Sequence, residues 1–235
     1  MTAEFAIQVC GWLVGVPLEF LLVVALLRGE CRRFPFVFVF ASALLVTTLV
    51  GIPANVNYAL HRSDPQISRH FARIYWVSQG ILYPLILAVV ISLIDRAATH
   101  ARSRRMTRAG LIAGALLFAG ISFAVHYRPS LKHSGYWMTG WTRDLSFGSA
   151  ILDLGLWTLL ISSRRGDRRL LLISGALGMQ FAGEAIGAAL QDLSIAQTVN
   201  SLNLAGSIIT MLASLACLYV WWQTFRPSAV TRHSP

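Results

Sequence analysis

Seven stretches of about 20 residues, each poor in charge, recur along the chain at about 5–27, 34–54, 74–94, 109–127, 142–162, 170–190 and 201–224. Roughly 20 apolar residues wound as α-helix cross the hydrocarbon of a bilayer, where the backbone must satisfy its own hydrogen bonds. Each run is therefore expected to be a transmembrane helix. The composition agrees, with 55% hydrophobic and 13% charged residues, against about a quarter charged in soluble domains. The sequence predicts an all-α, polytopic membrane protein: one seven-helix domain over 1–225 and a short tail over 226–235. The first run follows Glu4 and lacks a basic leader, so it is expected to remain as a helix and not to be cleaved as a signal peptide. Cys10, Cys31 and Cys217 are odd in number and form no CxxC pair, which argues against a disulfide framework.

On a soluble protein the net charge of +10 would point to nucleic acid, but its distribution follows topology instead. With the loops assigned alternately, one side receives Arg28, Arg32, Arg33, Arg96, Arg102, Arg104, Arg105, Arg108, Arg164, Arg165, Arg168, Arg169, Arg226 and Arg232. The other receives Arg62, Arg69, Arg73, Arg128, Lys132 and Arg143, a ratio of fourteen to six. Basic residues concentrate in short cytoplasmic loops, so the N-terminus is expected outside and the C-terminus in the cytoplasm, across the plasma (inner) membrane. The clusters RAATHARSRRMTR (96–108) and SSRRGDRR (162–169) are expected to attract anionic lipid head groups, with docking of a cytoplasmic signalling partner as the alternative. No nucleic-acid partner is expected. With about ten residues after the last helix, no output domain is expected to be fused to the chain.

Three helices carry polar stripes. In the last, Asn200, Asn203, Ser207, Thr210, Ser214 and Cys217 are spaced 3, 4, 3, 4, 3, which aligns them on one helical face. The fifth holds Thr142, Ser146, Ser149 and Asp153, and the sixth Gln180, Glu184, Gly187 and Gln191. Such stripes turn away from lipid and are expected to face one another. Depths counted at 1.5 Å per residue place Asp153, Glu184, Gln180, Asn203, Ser207 and Gln79 at overlapping levels, predicting a cavity open to the exterior. Tyr75, Trp76, Trp137, Trp141 and Arg143 would form its rim. Serine, threonine and glycine stripes also serve plain helix packing, and Gly11 with Gly15, Gly110 with Gly114, and Gly183 with Gly187 have the small-xxx-small spacing of close approach. The intramembrane acids are the stronger functional candidates, because a carboxylate there is costly unless paired, neutral or used. Glu184 is expected either neutral and hydrogen-bonded or charged against a cation, with Arg143 nearest. Glu19, two residues after Pro17, aligns with Gln8, Trp12 and Gly15, and a structural and a transport role both fit it. Asp95 is expected at the interface, and Pro84 is expected to kink the third helix.

Known chemistries lack their residues. Of six histidines only His126 touches an apolar run, so paired axial haem ligands are not expected. HExxH and GxSxG are absent, and the serine of HSGYW (133–137) stands in a loop. The single lysine, Lys132, is in a loop as well, where it cannot serve as the helix-borne lysine of a retinal Schiff base. No cofactor, metal or catalytic residue is expected. No internal repeat of the kind that builds many transporters is apparent.

The segments RRFPFVFVF (32–40), YWVSQGILYPLIL (75–87), TRDLSFGSAILDLGLW (142–157) and LLLISGALGMQFAGEAIG (170–187) resemble an uncharacterised family of bacterial seven-helix integral membrane proteins. In that family the third helix often carries Glu where Gln79 stands, and the fifth begins with an Arg-containing turn like that of Arg143 and Asp144. The resemblance implies the fold and no activity. The leading expectation is a non-enzymatic receptor or sensor that binds a small or lipidic ligand in an outward polar cavity. The alternative is a secondary transporter or proton-coupled carrier using the intramembrane carboxylates.

Overall fold

A computed structural model describes residues 3–61, 64–97, 104–126, 134–162, 167–197 and 200–226. Among them are seven long helices: α1 (Ala3–Ala25), α2 (Pro35–Leu60), α3 (Pro65–Ala97), α4 (Arg104–His126), α5 (Ser134–Ser162), α6 (Arg168–Gln197) and α7 (Asn200–Phe225). No strand occurs among the described residues. Each apolar run is a helix, but α3 begins nine residues before its run and α5 eight. The ends are set by caps and not by the edge of the apolar stretch. Asp64 Oδ1 accepts from Gln66 N at 2.8 Å, and Pro65 takes the first helical position, where its missing N–H is no loss. Asp167 caps α6 in the same way, accepting from Arg169 N at 3.0 Å.

Five helices are long and apolar enough to cross a membrane, namely α1 with its continuation to Glu30, α2, α3, α6 and α7. In α4 the apolar part is shorter, Ile112–His126, and α5 interrupts its apolar run with Arg143, Asp144 and Asp153. The exterior is rich in exposed aliphatic and aromatic side chains, among them Leu13, Phe20, Leu49, Leu116, Val125, Leu154 and Leu212, a surface suited to lipid and not to water.

Neighbouring helices pack in the order α1, α2, α3, α5, α6, α7 and back to α1, closing a ring of six, with α4 outside against α3 and α5. After α1 a single π-helical turn, Leu26–Glu30, ends the span, and Gly29 at φ 152° reverses the chain in a conformation that favours glycine. The apolar core lies toward this end of the bundle. Leu22, Leu26, Val37, Phe40, Val89, Leu93, Leu156, Ile173 and Trp221 are all fully buried or nearly so. Polar contacts close the same end: Arg169 Nη1 pairs with Glu30 Oε1 at 2.7 Å and Arg33 with Asp167 at 3.8 Å. The Arg96 guanidinium lies 4.4 Å over the Phe34 ring, which meets Phe225 edge-on at 5.4 Å. These contacts bring the connection after α1 together with the ends of α3, α6 and α7. Asp95 and Arg96, in the last turn of α3, stand at this end.

Glycines set the closest helix approach. A Cβ at Gly183 would overlap Ala213, and one at Gly187 would overlap Thr210 and lie 2.8 Å from the Gly206 carbonyl oxygen. Gly11 and Gly15 face Met211 and Leu215 across the α1–α7 contact. Around Gly110 and Gly114 in α4 there is nothing within 4 Å, so the same spacing there packs against nothing among the described residues. Gly114→Ala is accordingly expected to be neutral or to stabilise by up to about 1 kcal/mol through helix propensity. Thermal unfolding of the detergent-solubilised protein measures this, and a clear loss of stability would show that α4 is packed at Gly114.

Candidate functional site

The polar stripes separate into two groups. The first lies between α5 and α6. Asp153 is 2% exposed and accepts from Ser174 Oγ at 2.7 Å. A Cβ at Gly178 would stand 3.3 Å from Asp153 Oδ2, so a larger side chain there would press on the carboxylate. Toward the other end of the bundle, Glu184 Oε1 accepts from Gln180 Nε2 at 3.0 Å and Oε2 from Ser146 Oγ at 3.4 Å. Tyr75 and Tyr83 of α3 lie within electrostatic reach of Glu184. Ser149 is fully buried but bonds its own helix, donating to Leu145 O at 2.8 Å. The structure thus brings Glu184, Gln180, Ser146, Asp153 and Ser149 to one interface and gives both acids neutral donors. Arg143, the candidate cation had Glu184 been charged, is exposed, and Glu184 is met by the neutral donors Gln180 and Ser146.

Removing a donor from this interface exposes its value. Ser174→Ala leaves Asp153 Oδ1 buried without its partner, so the substitution is expected to cost about 1–3 kcal/mol. Equilibrium unfolding in detergent tests this, and a cost below about 0.5 kcal/mol would mean that Asp153 finds another donor.

The second group is a cleft. The α7 residues Asn203, Ser207, Thr210 and Ser214 line a cavity of about 550 Å³ together with Gln8, Trp12, Gly15 and Glu19 of α1, Thr48 of α2 and Gln191 of α6. The α7 stripe therefore lies across from α1, and Asn203 and Ser207 are not gathered with Glu184. Exposure along α1 falls from Gln8, which is exposed, through half-buried Gly11 and Trp12 to buried Gly15 and Glu19. The cleft is open toward Gln8 and Asn203 and closes at Glu19 and Leu218. Gln191 Nε2 donates to Ser207 Oγ at 3.4 Å near the mouth.

At the floor stands Glu19, 6% exposed. Its Oε1 accepts from Thr48 Oγ1 at 3.0 Å, while Oε2 is buried and has no hydrogen-bond partner. Among the described residues lining the cleft, Glu19 alone is ionisable. No group of three or more His, Cys, Asp or Glu among the described residues could hold a metal ion.

The expected rim is dispersed. Tyr75 is exposed and meets Trp76 edge-on at 5.1 Å on α3, where Gln79 is half-buried. Trp141 instead joins α5 to α4, donating from Nε1 to Ala119 O at 3.2 Å and meeting Phe123 edge-on at 5.8 Å. Beside it Ser122 Oγ donates to Asp144 Oδ2 at 2.6 Å. The side chain of Trp137 lies outside the described residues. Thr48 and Ser174, the partners of two buried acids, were not singled out by sequence reasoning, since a lone hydroxyl inside an apolar run carries no periodic signal.

Compared with family models, with curated proteins and with solved structures, the chain matches none.

Proposed function

We propose that the chain crosses the inner membrane seven times, N-terminus outside, and works as a non-enzymatic receptor or sensor whose ligand occupies the cleft between α1 and α7. The observation that carries this reading is the cleft itself: a polar stripe from α7, a volume within the range of about 300–1,000 Å³ common for small-molecule sites, and one buried acid at a closed floor. A dead-end cleft suits binding and not passage. The fourteen-to-six asymmetry of basic residues supports the orientation, and the turning of Ser149 and Asp153 into the protein supports a spanning α5. Ligand occupancy would alter the α1–α7 contact, whose inner end adjoins the charged cluster of Glu30, Arg33, Asp167 and Arg169. From there a separate cytoplasmic partner would read the change, with anionic lipid head groups at the arginine clusters holding that face at the membrane.

The carrier reading has its own support, since Glu19, Asp153 and Glu184 are three acids within helices, spread along the bundle. Proteoliposomes carrying an entrapped pH dye and a pH gradient separate the two. The receptor reading expects proton leak equal to that of protein-free vesicles. Leak that depends on the protein and is lost in Glu184→Gln or Asp153→Asn would replace it with a carrier.

A further inference from the structure

We propose that the α1–α7 cleft selects an elongated organic cation, with a primary ammonium head seated on Glu19 and an aliphatic body lying along α1 and α7. This rests on the cleft being a ligand site and adds the class of ligand.

The floor is the reason. A carboxylate that is 6% exposed has one oxygen bonded to Thr48 and the other with no partner. A buried acceptor left without a donor is costly, and a buried charge without a counter-charge more so. Among the described residues no Lys, Arg or His lines the cleft, so they supply no cation there. A ligand that brings both an N–H donor and a positive charge satisfies Glu19 in one step, and an ammonium does so with a charge-assisted bond. A metal ion is disfavoured by the donor set, which offers a single carboxylate where hard cations gather several oxygen ligands.

The walls decide the rest of the molecule. From Ile7 to Glu19 the cleft follows α1 for about 18 Å at 1.5 Å per residue, so the occupant is long. Beside Glu19 the hydroxyl of Thr48 is already bonded to the acid, and Val16, Leu215 and Leu218 supply aliphatic wall. Farther out Trp12 and Met211 add apolar surface beside Ser214 and Thr210, the latter bonded to its own helix. The mouth is amide and hydroxyl, from Gln8, Gln191, Asn203 and Ser207. The matching ligand is cationic at the deep end, apolar in the middle and hydrogen-bonding at the shallow end. Only one charge is called for, because among the described residues lining the cleft only Glu19 is ionisable.

Isothermal titration of the purified full chain in detergent with 6-aminohexan-1-ol and with hexane-1,6-diol tests this. The two probes are water-soluble and of equal length, and only the first carries an ammonium. The expected result is saturable binding of the amino alcohol about tenfold or more tighter than the diol, lost by about the same factor in Glu19→Gln. Ser207→Leu, which fills the approach and leaves the carboxylate intact, is expected to abolish binding as well and serves if Glu19→Gln does not fold. Equal binding of both probes would overturn the cationic class while leaving the cleft as a ligand site. Binding of the amino alcohol that survives Glu19→Gln, or no binding to the wild type, would overturn the assignment of the ammonium to Glu19.

Discussion

Gly187→Val is expected to destabilise the solubilised protein by about 3 kcal/mol, the upper end of the usual cost of overpacking. The obstacle is not a side chain that can swing aside. A Cβ at residue 187 meets the backbone carbonyl of Gly206 at 2.8 Å and the hydroxyl of Thr210, and that hydroxyl is itself held by a 3.0 Å bond to the same carbonyl. To accept a side chain, α6 and α7 must move apart, and this is the most extensive helix contact in the bundle. Helix association within lipid draws on close packing and not on expulsion of water, so the gap is not offset elsewhere. Denaturation of wild type and variant in mixed micelles reads the loss. A change within about 0.5 kcal/mol of zero, the usual scatter of surface substitutions, would mean that the two helices do not meet at Gly187.

Trp221→Ala is expected to lose about 3 kcal/mol, the lower end of the range for large-to-small core changes of Trp. Trp221 is 1% exposed, donates from Nε1 to Ile173 O at 3.1 Å and meets Phe40 edge-on at 5.9 Å. One side chain thus joins α7 to α6 and α2. The lower end applies because lipid also solvates an indole, so the transfer part of the cost shrinks while the cavity and lost contacts remain. Trp221→Phe keeps most of the volume and is expected to lose about 1 kcal/mol with the hydrogen bond. Equal losses for Ala and Phe would assign the stabilisation to the indole N–H and not to packing.

The helices were legible because lipid imposes the signal: a long run without charge has few other fates. Their first turns were not, since Asp64 and Asp167 act as caps through local geometry that an apolar count does not sense. The α7 stripe was legible from its 3 and 4 spacing, and so was the α1 face of Gln8, Trp12, Gly15 and Glu19. Their meeting was not. Spacing tells which residues share a face and leaves open which neighbour that face adjoins, so Asn203 and Ser207 were grouped with Glu184 while the structure places them at the mouth of the cleft that α7 forms with α1. The glycine pairs make the same point. Gly183 with Gly187 and Gly11 with Gly15 meet neighbours, whereas Gly110 with Gly114 meet none among the described residues, because small residues permit a close approach without requiring one.

Cysteine accessibility along α7 addresses the cleft most directly. In a background with Cys10, Cys31 and Cys217 replaced, Ser207→Cys and Thr210→Cys line the cleft, whereas Leu212→Cys is 56% exposed on the outer surface of the bundle. A membrane-impermeant cationic methanethiosulfonate, added to cells from outside, is predicted to label the first two and to spare the third, since only the cleft admits water. Labelling of Leu212→Cys as fast as Ser207→Cys, or no labelling of either cleft position, would contradict a polar cleft open to the exterior of a membrane-embedded bundle.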